Sequence, residues 1–113
     1  MRIETEVKSE KFIYRIIGDI KFYNWDEVSS DLMKKYHEGH KCIIMNWQGV
    51  SRIDSSAMQT LVTMMKTAQI DPDFRFYLVT DNQVHLRTLE LCRLDKYVEI
   101  VASESEAFAK CPV

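Results

Sequence analysis

The sequence predicts an α/β domain in which a mostly parallel sheet is layered with helices. Three observations point there. The continuous apolar run Cys42-Ile43-Ile44-Met45 has the composition of a central strand buried on both faces. A second short run, Phe74 to Val79, reads the same way. Segments of helical periodicity separate and follow these runs, so strands and helices alternate along the chain. Strand–helix–strand units of this length favour parallel pairing with right-handed crossovers.

Taken in order, residues 2–8 alternate weakly, with Ile3, Thr5 and Val7 on one side, as in an edge strand that can pair antiparallel. Phe12 to Ile17 is rich in β-formers and ends at Gly18-Asp19. Asn24 and Glu27 have the spacing of a capping box, and the helix after them carries Val28, Leu32 and Tyr36 on one face until Gly39 stops it. Beyond the Cys42 strand, Asp54-Ser55-Ser56 opens a helix of about four turns. Ala57, Leu61, Met64 and Ala68 form one stripe of it, and Met58, Val62 and Met65 an adjacent one. Asp71-Pro72-Asp73 breaks that helix. Asp81 or Asn82 caps a third, containing Val84, Leu86, Leu89 and Leu91. Val98 to Val101 is a short strand, and Ser103 with Glu106 is a capping box for a terminal helix holding Ala107 and Phe108. The expected order is β-β-α-β-α-β-α-β-α.

Residues 1–113 are expected to form one domain, since 113 residues suit a single core and 3 glycines and 2 prolines leave no flexible linker. Folding at this length buries somewhat over ~60% of the unfolded surface. With 46% hydrophobic and 28% charged residues and a net charge of -2, nothing demands a nucleic-acid partner. No apolar run reaches the ~18 residues of a membrane span, and the charged start Met1-Arg2-Ile3-Glu4-Thr5-Glu6 has no signal-peptide core, so a cytoplasmic protein without membrane insertion is expected. Three widely spaced cysteines, Cys42, Cys92 and Cys111, argue against a disulfide framework.

The sequence holds no Gly-rich phosphate loop, no Gly-x-Ser-x-Gly elbow and no Cys-x-x-Cys. His37, His40 and Cys42 lie close together, but they span a helix end and a buried strand, which suits a surface loop better than a four-ligand zinc site. His85 sits in a helix without a visible partner. No catalytic constellation emerges, so neither an enzyme nor a metal or cofactor is expected.

The informative segment is Val50-Ser51-Arg52-Ile53-Asp54-Ser55-Ser56-Ala57-Met58, where a strand gives way to a helix. Its plainest reading is capping, with Asp54, Ser55 or Ser56 satisfying orphan backbone N–H groups. A helix N-terminus is also a good place for a phosphate, because free N–H groups and the dipole both favour negative charge. A serine there can be modified without unfolding the domain. Met58 and Met65, if they lie on the exposed edge of the helix, add an adaptable contact surface, although a methionine stripe is more often core.

Ile53-Asp54-Ser55-Ser56-Ala57-Met58 resembles the Asp-Ser-Ser-Gly-Leu/Met signature of STAS domains, specifically bacterial anti-sigma factor antagonists. Gly18-Asp19-Ile20 is similar to the family's strand-end turn, the segment from Asp81 through Leu94-Asp95-Lys96 to Val98–Val101 to its third helix and last strand, and Ser103 to Ala107 to its terminal Ser-x-x-Glu-Ala start. The resemblance implies a four- to five-stranded mixed sheet, mostly parallel, with about four helices largely on one face. It also implies partner switching. The unphosphorylated antagonist binds an anti-sigma factor that is a serine kinase of the histidine-kinase-like ATPase fold, and so frees a sigma factor. The kinase phosphorylates the second serine of the triplet, here Ser56, and the complex falls apart; a metal-dependent serine phosphatase resets it. The implied contact residues are Asp54, Ser55, Ser56, Ala57 and Met58, with Asp19, Ile20, Phe22 and Asn24 from the neighbouring loop. A monomer is the simplest expectation for the free form.

The sequence departs from the family pattern at three places: Ala57 replaces the glycine after the second serine, Cys92-Arg93 stands where a small residue and glycine often end the helix, and Asp71-Pro72-Asp73 replaces a basic-glycine turn. The other function the resemblance allows is a scaffold or transporter-associated STAS domain, in a stress-signalling or lipid-transport complex, without regulatory phosphorylation.

Overall fold

The computed structural model describes residues 2–19, 22–54 and 56–111, with the backbone alone described at Phe22, Tyr23, Asn24 and Ser56. Its elements run β1 (Arg2–Lys8), β2 (Lys11–Gly18), α1 (Phe22–His37), β3 (Cys42–Val50), α2 (Ser56–Ile70), β4 (Arg75–Val79), α3 (Gln83–Leu91), β5 (Glu99–Val101) and α4 (Glu104–Lys110). The strands form one five-stranded sheet in sequence order, β1-β2-β3-β4-β5. β1 pairs antiparallel with β2, and the other neighbours pair parallel.

β3 lies in the middle because its side chains are apolar on both faces. Ile43, Met45 and Trp47 face a core shared with α1, α2 and α3, whereas Cys42 and Ile44 face a second core that contains Ala107 and Cys111 and is flanked by Phe108. α4 therefore covers the back of the sheet, and the other three helices cover the front. The strand runs past the apolar tetrapeptide to Val50. Asn46 and Gln48 hide that continuation in the sequence. Buried Asn46 is satisfied by donating to Glu104 at 2.6 Å and to Gln48 at 3.2 Å. Glu104 also takes a bidentate pair from Arg15, both contacts at 2.8 Å, which fixes the first turn of α4 to the sheet.

Local chemistry ends most elements where expected. Gly39 adopts φ +104, and the N–H groups of Gly39 and His40 return to the carbonyls of Tyr36 and Lys35, a Schellman closure for α1. Asn82 caps α3, its side chain accepting from the N–H groups of Val84 and His85. Ser103 Oγ accepts from the Glu106 N–H at 3.2 Å, while the Glu106 carboxylate accepts from the Ala102 N–H at 3.0 Å. The capping box thus closes one residue earlier than its ideal form.

Two expectations need correction, on Asn24 and on Met58. Asn24 does not cap α1, which begins at Phe22, so Asn24 occupies the first turn and its backbone N–H lies within the helix. α3 leaves Val84 and Leu91 72% and 71% exposed. Its inward stripe is His85 and Leu89, four residues apart, and a nine-residue helix lying on a sheet can bury only one such stripe. Met58 does not lie on an exposed edge of α2: it is buried with Ala57, and Met65 is half-buried against the same core.

α3 ends at a residue that glycine would suit better. Arg93 takes φ +60 while its N–H returns to Glu90 and that of Leu94 to Leu89, both at 3.0 Å. This is again a Schellman closure, with a side-chain-bearing residue in the left-handed position. Arg93→Gly should raise the unfolding free energy by about 0.5–1 kcal/mol, read as an upward shift of the urea midpoint at constant slope.

Candidate functional site

The parallel pairing of β2 and β3 brings two loops together. Gly18 sits opposite Val50 in the register, so the chain leaving β2 towards α1 and the chain leaving β3 towards α2 emerge side by side. Asp19 on the first loop and Asp54 on the second are both exposed. Ser56 is the first residue of α2, and the Ala57 N–H already returns to the Asp54 carbonyl at 3.1 Å. Ile20 and Ser55 fall outside the described residues, and Phe22 and Asn24 are placed by backbone in the first turn of α1. α2 carries no acidic residue in its first turn, and Asp54 lies just before it.

Ala57 and Met58 enter the site differently from the expectation. Ala57 is fully buried and Met58 is 8% exposed, so both side chains anchor the start of α2 in the front core. In the free protein they do not offer a contact surface. The methyl that distinguishes Ala57 from glycine points inward, and Gln59 is the next exposed position on the helix.

Residues that sequence reasoning passed over support this corner. Trp25 of α1 packs edge-on against Trp47 of β3, ring centroids 5.7 Å apart, and Trp47 packs edge-on against His85 of α3 at 5.8 Å. Thr60 of α2 is buried, donates to the Trp25 carbonyl at 3.4 Å and shares a 2.5 Å hydroxyl contact with Ser29 of α1. One run of contacts therefore ties the first turns of three helices to the end of β3. Among the described residues, the indole N–H groups of Trp25 and Trp47 are buried without a hydrogen-bond partner, and the buried imidazole of His85 lies beside the Ser51 backbone. Aromatic residues at isolated positions carry no periodic signal, and a lone histidine in a helix gives no hint of burial.

The other end of the sheet has different chemistry. His37 packs against Tyr36 and His40 against Phe12, while Cys42 turns into the back core, so the three candidate ligands diverge. Among the described residues no group of three or more His, Cys, Asp or Glu side chains could hold a metal ion. A cleft of about 670 Å³ opens there, lined by residues including Glu10, His40, Lys41, Asp73 and Arg75. Its cations are committed locally: Lys41 pairs with Asp71 at 2.6 Å, and Arg75 donates to the carbonyls of Pro72 and Phe74. Hydrogen bonds from Lys41 and Tyr36 hold the Asp71 carboxyl down at about 2.

The sequence model of the STAS domain matches residues 2–107. The chain belongs to the STAS domain family. Among solved structures, this STAS domain superposes on a candidate anti-sigma factor antagonist from Thermotoga maritima with a TM-score of 0.89 at 21% identity, over 98% of this chain and 95% of that one. An anti-sigma factor antagonist from Mycobacterium paratuberculosis gives 0.87 at 12% identity, over 99% and 94%. The Bacillus cell-fate determinant SpoIIAA in its phosphorylated form gives 0.74 at 19% identity, over 96% and 98%. The α/β fold of this STAS domain, with five strands and four helices, is that of these antagonists. Among the described residues no helix is long and apolar enough to cross a membrane.

His85 makes the corner sensitive to acid. Burial pushes its imidazole below the usual histidine range, and the nearby Ser51 backbone offsets this only in part. The folded domain holds His85 neutral, whereas the unfolded chain takes up a proton near pH 6.5. The unfolded state binds more protons below that pH, so this contribution to stability is complete above about pH 6.5 and declines as the pH falls. The urea midpoint should therefore drop between pH 7.5 and 5.5, and His85→Phe should flatten that drop. An undiminished drop in the variant would assign the acid sensitivity to another group.

Proposed function

We propose that this STAS domain is an anti-sigma factor antagonist acting by partner switching. In its unphosphorylated form it binds an anti-sigma serine kinase and frees a sigma factor; phosphorylation of Ser56 reverses the binding, and a metal-dependent serine phosphatase restores it. The observation that carries the proposal is the position of Ser56 as the first residue of α2, without a carboxylate in that helical turn. It is the residue that the Asp-Ser-Ser resemblance assigns to phosphorylation. SpoIIAA, whose fold this chain shares, is known in unphosphorylated and phosphorylated forms.

The physics favours a switch that works at the interface. A phosphate adds about -1.5 to -2 charges. At the start of α2 the dipole and backbone N–H groups favour that charge, so the fold tolerates it. Across a docked partner the same charge must be desolvated or matched, and the exposed Asp54 and Asp19 add like charge around it. Each ~1.4 kcal/mol lost there weakens binding tenfold. Because the Ala57 side chain is buried, the departure from glycine leaves the accessible surface of the site unchanged. The contact set is accordingly Ser56 with Asp54, Ser55 and Gln59, and Asp19, Ile20, Phe22 and Asn24 from the adjacent loop. Ala57 and Met58 hold the helix start in place.

The test is incubation with ATP and a candidate anti-sigma serine kinase from the same organism, followed by intact-mass measurement and peptide mapping. One phosphate on Ser56 is expected. Ser56→Asp should lower affinity for that kinase at least a hundredfold while leaving the melting temperature within a few degrees, and Ser56→Ala should bind like the wild type. Equal binding by both variants, with no phosphate under conditions where the same kinase modifies a control antagonist, would favour the scaffold or transporter-associated function instead.

A further inference from the structure

Far from the Ser56 corner, the back of the sheet holds a pair of sulfurs that no part of the partner switch uses. Cys42 opens β3 and Cys111 ends α4, 69 residues apart in sequence, with their Sγ atoms 2.8 Å apart. Both are free thiols and both are buried, Cys42 at 0% and Cys111 at 7% exposure. The third cysteine, Cys92, is exposed and belongs to neither core. We propose that Cys42 and Cys111 are an oxidisable dithiol, a modification site whose co-reactant is a small hydroperoxide and whose product is a disulfide locking α4 to the sheet.

The two thiols differ in their access to solvent, Cys42 being sealed in the back core and Cys111 retaining a small opening. Burial and the neighbouring Cys111 sulfur push the Cys42 thiol well above its usual range, so Cys42 is not the sulfur that meets the peroxide first. Cys111 lies at the frayable end of a seven-residue helix and keeps the small exposure that a peroxide molecule needs. The Cys111 sulfur attacks one peroxide oxygen and gives up its proton as it does so. The S–O bond forms, the O–O bond breaks, and the departing hydroxide takes up a proton as water. The Cys42 sulfur then attacks the Cys111 sulfur; the S–S bond forms, the S–O bond breaks, and a second water leaves with the Cys42 proton. Two thiols lose two electrons and one hydroperoxide gains them. The sulfurs must close from 2.8 Å to the bonding distance of about 2.05 Å, a shift within reach of side-chain adjustment.

The consequence is structural. The start of α4 is already held through Glu104 to Arg15 and Asn46, so a bond at Cys111 would fasten the helix at both ends. A crosslink spanning so long a loop restricts the unfolded chain strongly.

The experiment uses the full chain with Cys92→Ser, which removes the exposed thiol. The protein is treated with hydrogen peroxide, unfolded, alkylated and mapped without reduction. Expected are the loss of two hydrogen atoms in mass, a Cys42–Cys111 linked peptide, no alkylation, and a melting temperature raised by roughly 5–10 °C and restored by dithiothreitol. Adding Cys111→Ser should abolish both the link and the shift. Two alkylated thiols after peroxide, or Cys111 carrying two or three oxygens without a link, would overturn the proposal.

Discussion

The structure depends on the burial of the first six residues of β3, Cys42 to Trp47. Residues 42–47 are buried without a break, on alternating sides of the strand. A strand with no solvent face needs a neighbour on each edge and a layer on each side. β2 and β4 supply the edges, α1 and α2 much of the front layer, and α4 the back. Parallel pairing with both neighbours then makes each chain leave the sheet at the same end, so the loops that begin α1, α2 and α3 are neighbours in space. The candidate binding surface is a by-product of covering one strand.

That surface stays in place because its foundations are rigid even though its rim is polar. Trp25, Trp47, His85 and Thr60 link three helices to the end of β3 beneath the exposed Asp54 and Asp19. The arrangement carries a cost. A buried donor without a partner loses about 1–3 kcal/mol of solvation, and among the described residues the two indole N–H groups here lack one. Large aromatic burial in the same cluster offsets that loss. The domain thus places unsatisfied indole N–H groups under the corner proposed to meet a partner, while the opposite end, around Lys41, Tyr36 and Asp71, is closed by a short ion pair and a hydrogen bond.

Several turns show how tertiary packing overrides local preference. The β1–β2 hairpin has a two-residue loop, Ser9-Glu10, with positive φ at both residues (52 and 66), a geometry that normally selects Asn or Gly. The sequence therefore contains no conventional hairpin signal between Lys8 and Lys11. The seven-residue register with β2 holds the turn in spite of its chemistry. Arg93 is a similar case, with Leu94 and Val98 buried just beyond it and drawing the chain back to the core. The start of α1 also escaped local reasoning: Asn24 and Glu27 have capping-box spacing, yet the helix includes the residues before them.

By itself the sequence determined the order of all nine elements, the cap at Ser103 and the family, and it left the first strand free to pair antiparallel. Those features rest on local periodicity, turn residues and one short motif, which the chain expresses within a few residues of itself. Tertiary structure alone decided which side of each element faces inward where composition is ambiguous. α3 turned His85 inward and left Val84 and Leu91 outside, and α2 drew Met58 into the core. It also decided which distant residues meet. Cys42 and Cys111 are 69 positions apart, and Asn46 lies 58 from Glu104. Such pairs have no signature in one sequence, because their proximity is created only when strands align in register and a helix lies across them.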